Sequence, residues 1–204
     1  MPRRFSLNDP ADDPVEVTPA APSTVAPCGG VTTSRCDGTG AEVTVEKIGF
    51  GGGCHWCTEG VFQALRGVVQ VDQGFLQSEP PWDAWAEGVI VTFDPAIIQL
   101  GILAEVHLRT HSASGTYSPE GRYRSAVYVF DDEQHDEAAR TIAQFASDTG
   151  EPARTAVLAF VGFRESDERY RNYYQTDPSR PFCRRYIDPK LAYIRQHFAD
   201  IALP

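Results

Sequence analysis

The sequence predicts an α+β fold: a two-layer sandwich with a ferredoxin-like βαββαβ core, an irregular N-terminal arm and a C-terminal helical segment. Three observations lead there. Segments with strand and helix patterning alternate as β-α-β-β-α-β between Val43 and Phe130, the order of a split βαβ unit with helices on one face of an antiparallel-rich sheet. Prolines crowd into the first residues and thin out afterwards. The 204 residues are 42% hydrophobic and 11% aromatic, enough to build one core and too apolar for wholesale disorder.

Residues 1–41 hold Pro2, Pro10, Pro14, Pro19, Pro22 and Pro27, six of the 15 prolines, and follow neither a strand nor a helix period. They read as an irregular arm, and residues 42–204 as the domain. Val43 to Phe50 reads as a strand, and Gly51-Gly52-Gly53 as a turn that lets backbone approach something closely. A helix follows from Cys54 to Leu65, with Val61, Phe62 and Leu65 as its apolar face and Gly67 as its stop. Val68 to Phe75 and Ala86 to Phe93 are expected strands. Gln99 to Thr110 is an expected helix that turns Leu100, Leu103, Val106 and Leu108 inward. Ser125 to Phe130 closes the core as a strand. Beyond it, Asp132 to Ser147 reads as helix, Thr155 to Val161 as strand, and Asp167 to Gln175 and Pro189 to Phe198 as helical.

The net charge of −10 repels phosphate backbones and excludes a general nucleic-acid binder. The longest apolar run, Ala156 to Phe163, is too short to span a bilayer, and no hydrophobic signal region follows Arg3 and Arg4. A cytoplasmic location is therefore expected, where thiols stay reduced unless they cycle. Five cysteines are too sparse for a disulfide scaffold, and an odd number leaves one unpaired.

The densest local signal is Phe50-Gly51-Gly52-Gly53-Cys54-His55-Trp56-Cys57. It places Cys54 where strand, glycine turn and helix meet. Unpaired N–H groups and the positive dipole end at a helix start favour thiolate over thiol, which makes Cys54 a candidate nucleophile. The competing reading is a buried, inert cysteine. Cys54 and Cys57 also form a Cys-x-x-Cys pair, the pattern of a dithiol oxidoreductase. Cys28, Cys36, Cys54 and Cys57 offer four thiolates that would suit zinc, though at unusual spacing. His107 and His111, four apart at a helix end, are a weaker metal pair.

Gly53-Cys54-His55-Trp56-Cys57-Thr58-Glu59, with Val61-Phe62-Gln63 and Leu65-Arg66-Gly67-Val68, resembles the peptide methionine sulfoxide reductase A family, which carries Gly-Cys-Phe-Trp at this spot. The resemblance continues in order through Trp85-Ala86-Glu87-Gly88-Val89, Phe93-Asp94-Pro95, Tyr123-Arg124-Ser125-Ala126-Val127-Tyr128, Glu168-Arg169-Tyr170, Tyr173-Tyr174, Phe182-Cys183 and Pro189-Lys190-Leu191. It implies an α+β fold and thiol-dependent reduction of a methyl sulfoxide to a thioether. In that resemblance Cys54 is the nucleophile, which becomes a sulfenic acid. Glu87 is the acid at the sulfoxide oxygen, kept protonated by an apolar pocket. Tyr123 helps bind the oxygen, Trp56 belongs to the cage around the substrate methyl, and Cys183 is the recycling thiol, with Cys57 as a second candidate. It implies no metal or bound cofactor, an external dithiol such as thioredoxin as reductant, and a sulfoxide substrate.

The chain departs from the family pattern at three places. His55 replaces the phenylalanine after the nucleophile. A charged His55 would lower the Cys54 pKa further, while a neutral one only replaces one flat ring by another. The segment Leu76 to Trp85 lacks the family's loop tyrosine, and Trp82 or Trp85 is expected to line the pocket instead. Before Tyr123 the family has Asn-Asp-x-Gly-x-Gln-Tyr-Arg; here Ser118 stands at the Asp position with Glu120 nearby, so the preferred sulfoxide is expected to differ. The alternative function is a redox sensor or binding protein on the same scaffold, with little turnover.

Overall fold

A computed structural model describes residues 33–36, 42–111, 121–150 and 152–204. The alternating segments form the expected elements. In chain order they are strand β1 (Thr33–Cys36), β2 (Glu42–Gly51), helix α1 (His55–Gln63), β3 (Val68–Gln77), β4 (Ala86–Phe93), α2 (Leu100–Thr110), β5 (Ala126–Val129), α3 (Asp132–Thr149), β6 (Ala156–Ala159), β7 (Gly162–Glu165), α4 (Tyr173–Thr176) and α5 (Asp188–His197). The sheet runs β6-β5-β2-β4-β3-β7, with β1 added to β2. Every pairing is antiparallel except β5 with β6, whose crossover is supplied by α3. The chain is thus α+β, with a mixed sheet.

Strand periodicity decides which side chains meet the helices. Ile48 and Phe50 of β2, Val89, Val91 and Phe93 of β4, and Val127 and Val129 of β5 share one face. They bury against Val61, Phe62 and Leu65 of α1 and Leu103, Ala104 and Val106 of α2. Glu87 has the same parity as Val89, so its carboxylate also faces the helix layer. The opposite face is covered as well: Leu76, Ile90, Ala126, Tyr128 and Leu158 pack with Trp82, Phe130, Phe160 and Phe163. This explains why β4 is buried along its whole length.

Three differences from the sequence reading have local causes. Within the arm expected to be irregular, Thr33–Cys36 form a strand on the part of β2 that extends beyond its partner β4. The expected strand Thr155 to Val161 ends at Ala159, and Gly162 starts β7, which returns antiparallel along β3. The expected helix Asp167 to Gln175 splits into a short 3₁₀ turn, Glu168–Tyr170, and α4. Buried Glu59 takes the N–H groups of Asn172 (2.7 Å) and Tyr173 (3.0 Å), and Asn172 turns left-handed at φ 53°. α3 is capped at both ends: the Asp131 side chain accepts from Gln134 N–H (2.9 Å), and Gly150 ends the helix at φ 69°.

At Gly88, beside Glu87, β2 approaches so closely that an added Cβ would lie 2.5 Å from the Phe50 carbonyl oxygen and 2.5 Å from Leu76 Cδ1. The carbonyl belongs to a central strand and cannot swing away. Gly88→Ala is therefore expected to destabilise the protein by about 1–3 kcal/mol, read as a lower denaturant midpoint at unchanged slope.

Candidate active site

The turn after β2 places Cys54 at the cap of α1. Gly53 adopts φ 77°, and a Cβ at Gly52 would meet the His111 ring at 2.6 Å, so the turn needs glycine. The Cys54 carbonyl accepts from Cys57 N–H (3.1 Å) and Thr58 N–H (3.3 Å). The first helical amide, that of His55, donates to Glu87 Oε2 at 3.2 Å. A strand carboxylate thus sits under the positive end of the helix, beside the nucleophile candidate.

Glu87 is only 3% exposed, yet its surroundings are not the apolar pocket expected from the sequence. Arg122 Nε donates to Glu87 Oε1 at 2.6 Å, and the two backbones are joined by Glu87 N–H to the Arg122 carbonyl at 2.7 Å. Burial opposes the charge on Arg122, but the Glu87 carboxylate outweighs it and raises the guanidinium pKa. The Arg122 side chain remains 63% exposed, so the pair opens onto solvent. His55 Nδ1 lies 3.2 Å from the Gly74 carbonyl, which can only accept, so Nδ1 carries the ring proton and Nε2 faces Glu87 Oε2 at 3.8 Å. Burial lowers the His55 pKa. A neutral ring replaces the charged one considered from sequence, and it lends no positive charge to Cys54.

The thiols correct a second expectation. Cys54 and Cys57 are hydrogen-bonded through their side chains and share their ionisation. Donating to Cys57, together with burial, pushes the Cys54 thiol up rather than down. Accepting that bond holds Cys57 below the ordinary thiol value against its own burial, and Lys190 adds to the effect. Lys190 loses some of its own basicity to burial, and its Nζ donates to the Thr110 carbonyl. Cys54, Cys57, Lys190, Tyr123, Phe182 and Tyr186 line one cavity of about 420 Å³. Cys183 is fully buried in the π-helical turn Cys183–Ile187, with its Sγ 3.6 Å from the Asp177 carbonyl. Burial raises its pKa, and it feels the charge of Cys57.

The profile of the family described as peptide methionine sulfoxide reductase matches residues 46–202. Curated peptide methionine sulfoxide reductases MsrA resemble most of the chain. The one from Deinococcus radiodurans is 32% identical over 184 residues, covering 82% of this chain and 89% of that protein. The one from Ralstonia nicotianae is 33% identical, covering 76% of this chain and 92% of that protein. The chain belongs to the peptide methionine sulfoxide reductase family. Among solved structures, reduced Mxr1 from Saccharomyces cerevisiae has the same fold, with a TM-score of 0.62 at 21% identity, covering 74% of this chain and 93% of that one.

Within this reductase family member, the structure sorts the remaining candidates. Trp56 stacks on Tyr173 at 4.2 Å and meets Phe182 edge-on at 5.4 Å, and its buried Nε1 has no partner among the described residues. Tyr123 is 41% exposed and lines the thiol cavity. Trp82 does not reach the site: it packs on the far face of the sheet, where buried Arg124 donates to its carbonyl and lies 5.7 Å from its ring. Trp85 stays on the near face, against Arg164 at 5.2 Å and outside the thiol cavity. Ser118, Glu120 and Cys28 lie outside the described residues, as does the side chain of Cys36. His107 and His111 stack at 3.9 Å under the glycine turn, and His111 bonds Ser125 Oγ at 2.6 Å. Among the described residues no cluster of three or more His, Cys, Asp or Glu side chains is placed to hold a metal.

Sequence reasoning missed Arg122, Lys190 and Phe75. Arg122 stood in the compared stretch as a replacement for the family glutamine, and that charge change beside Tyr123 was its only signal. Lys190 stood in the family-like stretch Pro189-Lys190-Leu191 without a role, and Phe75 gave no signal, because only the fold brings them to Cys57 and His55.

Thiolate, not thiol, reacts with iodoacetamide. Lys190→Met removes a positive charge that favours the Cys57 thiolate, so the pH midpoint for Cys57 alkylation is expected to move up and the rate at pH 7 to fall. Labelling followed by peptide mass mapping in Cys54→Ser and Cys54→Ser/Lys190→Met proteins measures both.

Proposed function

We propose that the protein reduces a methyl sulfoxide, that of methionine free or in peptides, to the thioether through thiol chemistry at Cys54. The observation that carries this reading is the Cys54–Cys57 pair at the start of α1, next to a carboxylate that accepts the first helical amide. In the first step Cys54 Sγ attacks the sulfoxide sulfur while its proton passes to the Cys57 thiolate, which acts as the local base. With a proton delivered to the oxygen from the His55–Glu87 pair, oxygen transfer leaves the thioether and a Cys54 sulfenic acid. Cys57, now a thiol, attacks the sulfenic sulfur, expels water and closes a disulfide. Sulfoxide, the Cys54 thiol, the Cys57 thiolate and one proton thus become thioether, disulfide and water.

The polar side of the site receives the sulfoxide oxygen. A proton taken up at His55 Nε2 would be shared with Glu87, and this store replaces the isolated neutral acid inferred from the resemblance. The Arg122 guanidinium and the Tyr123 hydroxyl are the nearby donors. His55 and Phe75, edge to face at 5.7 Å, supply with Trp56 an aromatic flank for the substrate methyl. The core that holds these groups reads as a ferredoxin-like βαββαβ unit, supported by the order β5-β2-β4-β3 of its strands.

Cys183 feels the charge of Cys57, which supports a relay from the Cys54–Cys57 disulfide to Cys183 and then to an external dithiol. Mxr1 was solved in complex with Trx2, at a TM-score of 0.51 to this chain, and that favours a thioredoxin-type reductant here.

Turnover with dithiothreitol and stereochemically resolved methionine sulfoxides tests the reading. The S-sulfoxide is expected to be consumed catalytically, and Cys54→Ser to lower the rate by at least about a thousandfold. Stoichiometric oxidation of Cys54 with no turnover would instead establish a sensor.

A further inference from the structure

On the helix-side face of the sheet, Arg164 of β7 stands opposite Phe75 of β3, and Phe75 opposite Glu87 of β4. Three neighbouring strands therefore present Arg164, Phe75 and Glu87 in one row leading away from Cys54. The Arg164 guanidinium lies 5.2 Å from the Phe75 ring and 5.2 Å from the Trp85 ring, held by both through cation–π contact. Arg122 lies 5.9 Å from the same Phe75 ring. Arg122 is neutralised by Glu87, whereas Arg164 has no carboxylate partner among the described residues; its neighbour Glu165 pairs with Arg171 instead. On a chain of net charge −10, an exposed and orientationally fixed guanidinium beside the active site is a receptor for an anion.

Resting on the reductase reading above, we infer that Arg164, aided by Arg122, binds a carboxylate adjoining the sulfoxide side chain, so the preferred substrate is free methionine sulfoxide or a chain ending in it. The spacing fits. Glu87 and Arg164 are two strand spacings apart, roughly 10 Å. An extended methionine sulfoxide spans roughly 5–6 Å from sulfur to carboxylate carbon, and a guanidinium–carboxylate pair bridges the remainder. The sulfoxide oxygen meets Glu87 and Arg122 while the carboxylate meets Arg164, with the methylene chain lying over Phe75. An internal methionine sulfoxide offers an amide there and gains no charge-assisted bond. Arg164 is a specificity residue in this assignment, with no part in the chemistry.

The test compares kcat/KM for free methionine-S-sulfoxide with its methyl ester, and for a tripeptide ending in the sulfoxide with the same peptide as its C-terminal amide. The first pair reports the free amino acid, the second a chain end. In the wild-type protein each acid is expected to be favoured over its neutral form by about tenfold, the weight of one exposed charge-assisted bond. The preference should shrink at high salt. Arg164→Gln should abolish it, mainly through KM. Arg164→Lys should restore part of it, and Arg140→Gln, a charge removed from exposed α3, should leave it intact. A wild-type protein that does not distinguish acid from ester or amide, or an Arg164→Gln protein that loses acid and neutral substrates equally, overturns the inference. Absence of turnover with all four compounds overturns the reductase reading itself, a different result.

Discussion

The site depends on a carboxylate placed where a helix begins. Glu87 leaves a strand whose every residue is buried and meets the first amide of α1. A buried carboxylate without partners costs several kcal/mol, and here it accepts one helix N–H and one guanidinium. Those two bonds fix the helix start against the sheet, and with it the sulfur of Cys54. The close β2–β4 approach at Gly88 and the left-handed Gly53 make the approach of helix to strand possible. Because Arg122 is more than half exposed, the ion pair contributes modestly to stability and stays within reach of a ligand.

The same geometry changes how the thiols divide their work. A helix start alone would favour a Cys54 thiolate, but the hydrogen bond to Cys57 and burial push the Cys54 thiol up, while the same bond holds Cys57 down. Cys57 lies toward Lys190, receives the hydrogen bond of Cys54 and is the better place for the negative charge in the resting protein. Cys183 is fully buried, and burial raises its pKa.

Much of the fold was legible because its signals are local. The strand Ala86–Phe93, the helix beginning at Asp132 and the glycine turn before Cys54 all follow from neighbouring residues. What escaped depends on partners distant in sequence. Glu59 breaks an expected helix by capturing the amides of Asn172 and Tyr173, more than a hundred positions away. Trp82 looked like a pocket residue beside Glu87, yet Arg124 draws it to the other face of the sheet. The site residues that the family resemblance pointed to, Cys54, Glu87 and Tyr123, come together in the fold. Their electrostatics could not be read from the motif, because Arg122 and the burial of His55 set them.

The central claim is that Cys57, rather than Cys183, first answers the oxidised Cys54. One turnover with excess methionine-S-sulfoxide, in the absence of reductant and quenched early by acid and alkylation, decides it by disulfide mapping. The account predicts a Cys54–Cys57 bond as the first species, with bonds to Cys183 appearing only later and through Cys57. A direct Cys54–Cys183 bond formed at full rate in Cys57→Ser protein would contradict it.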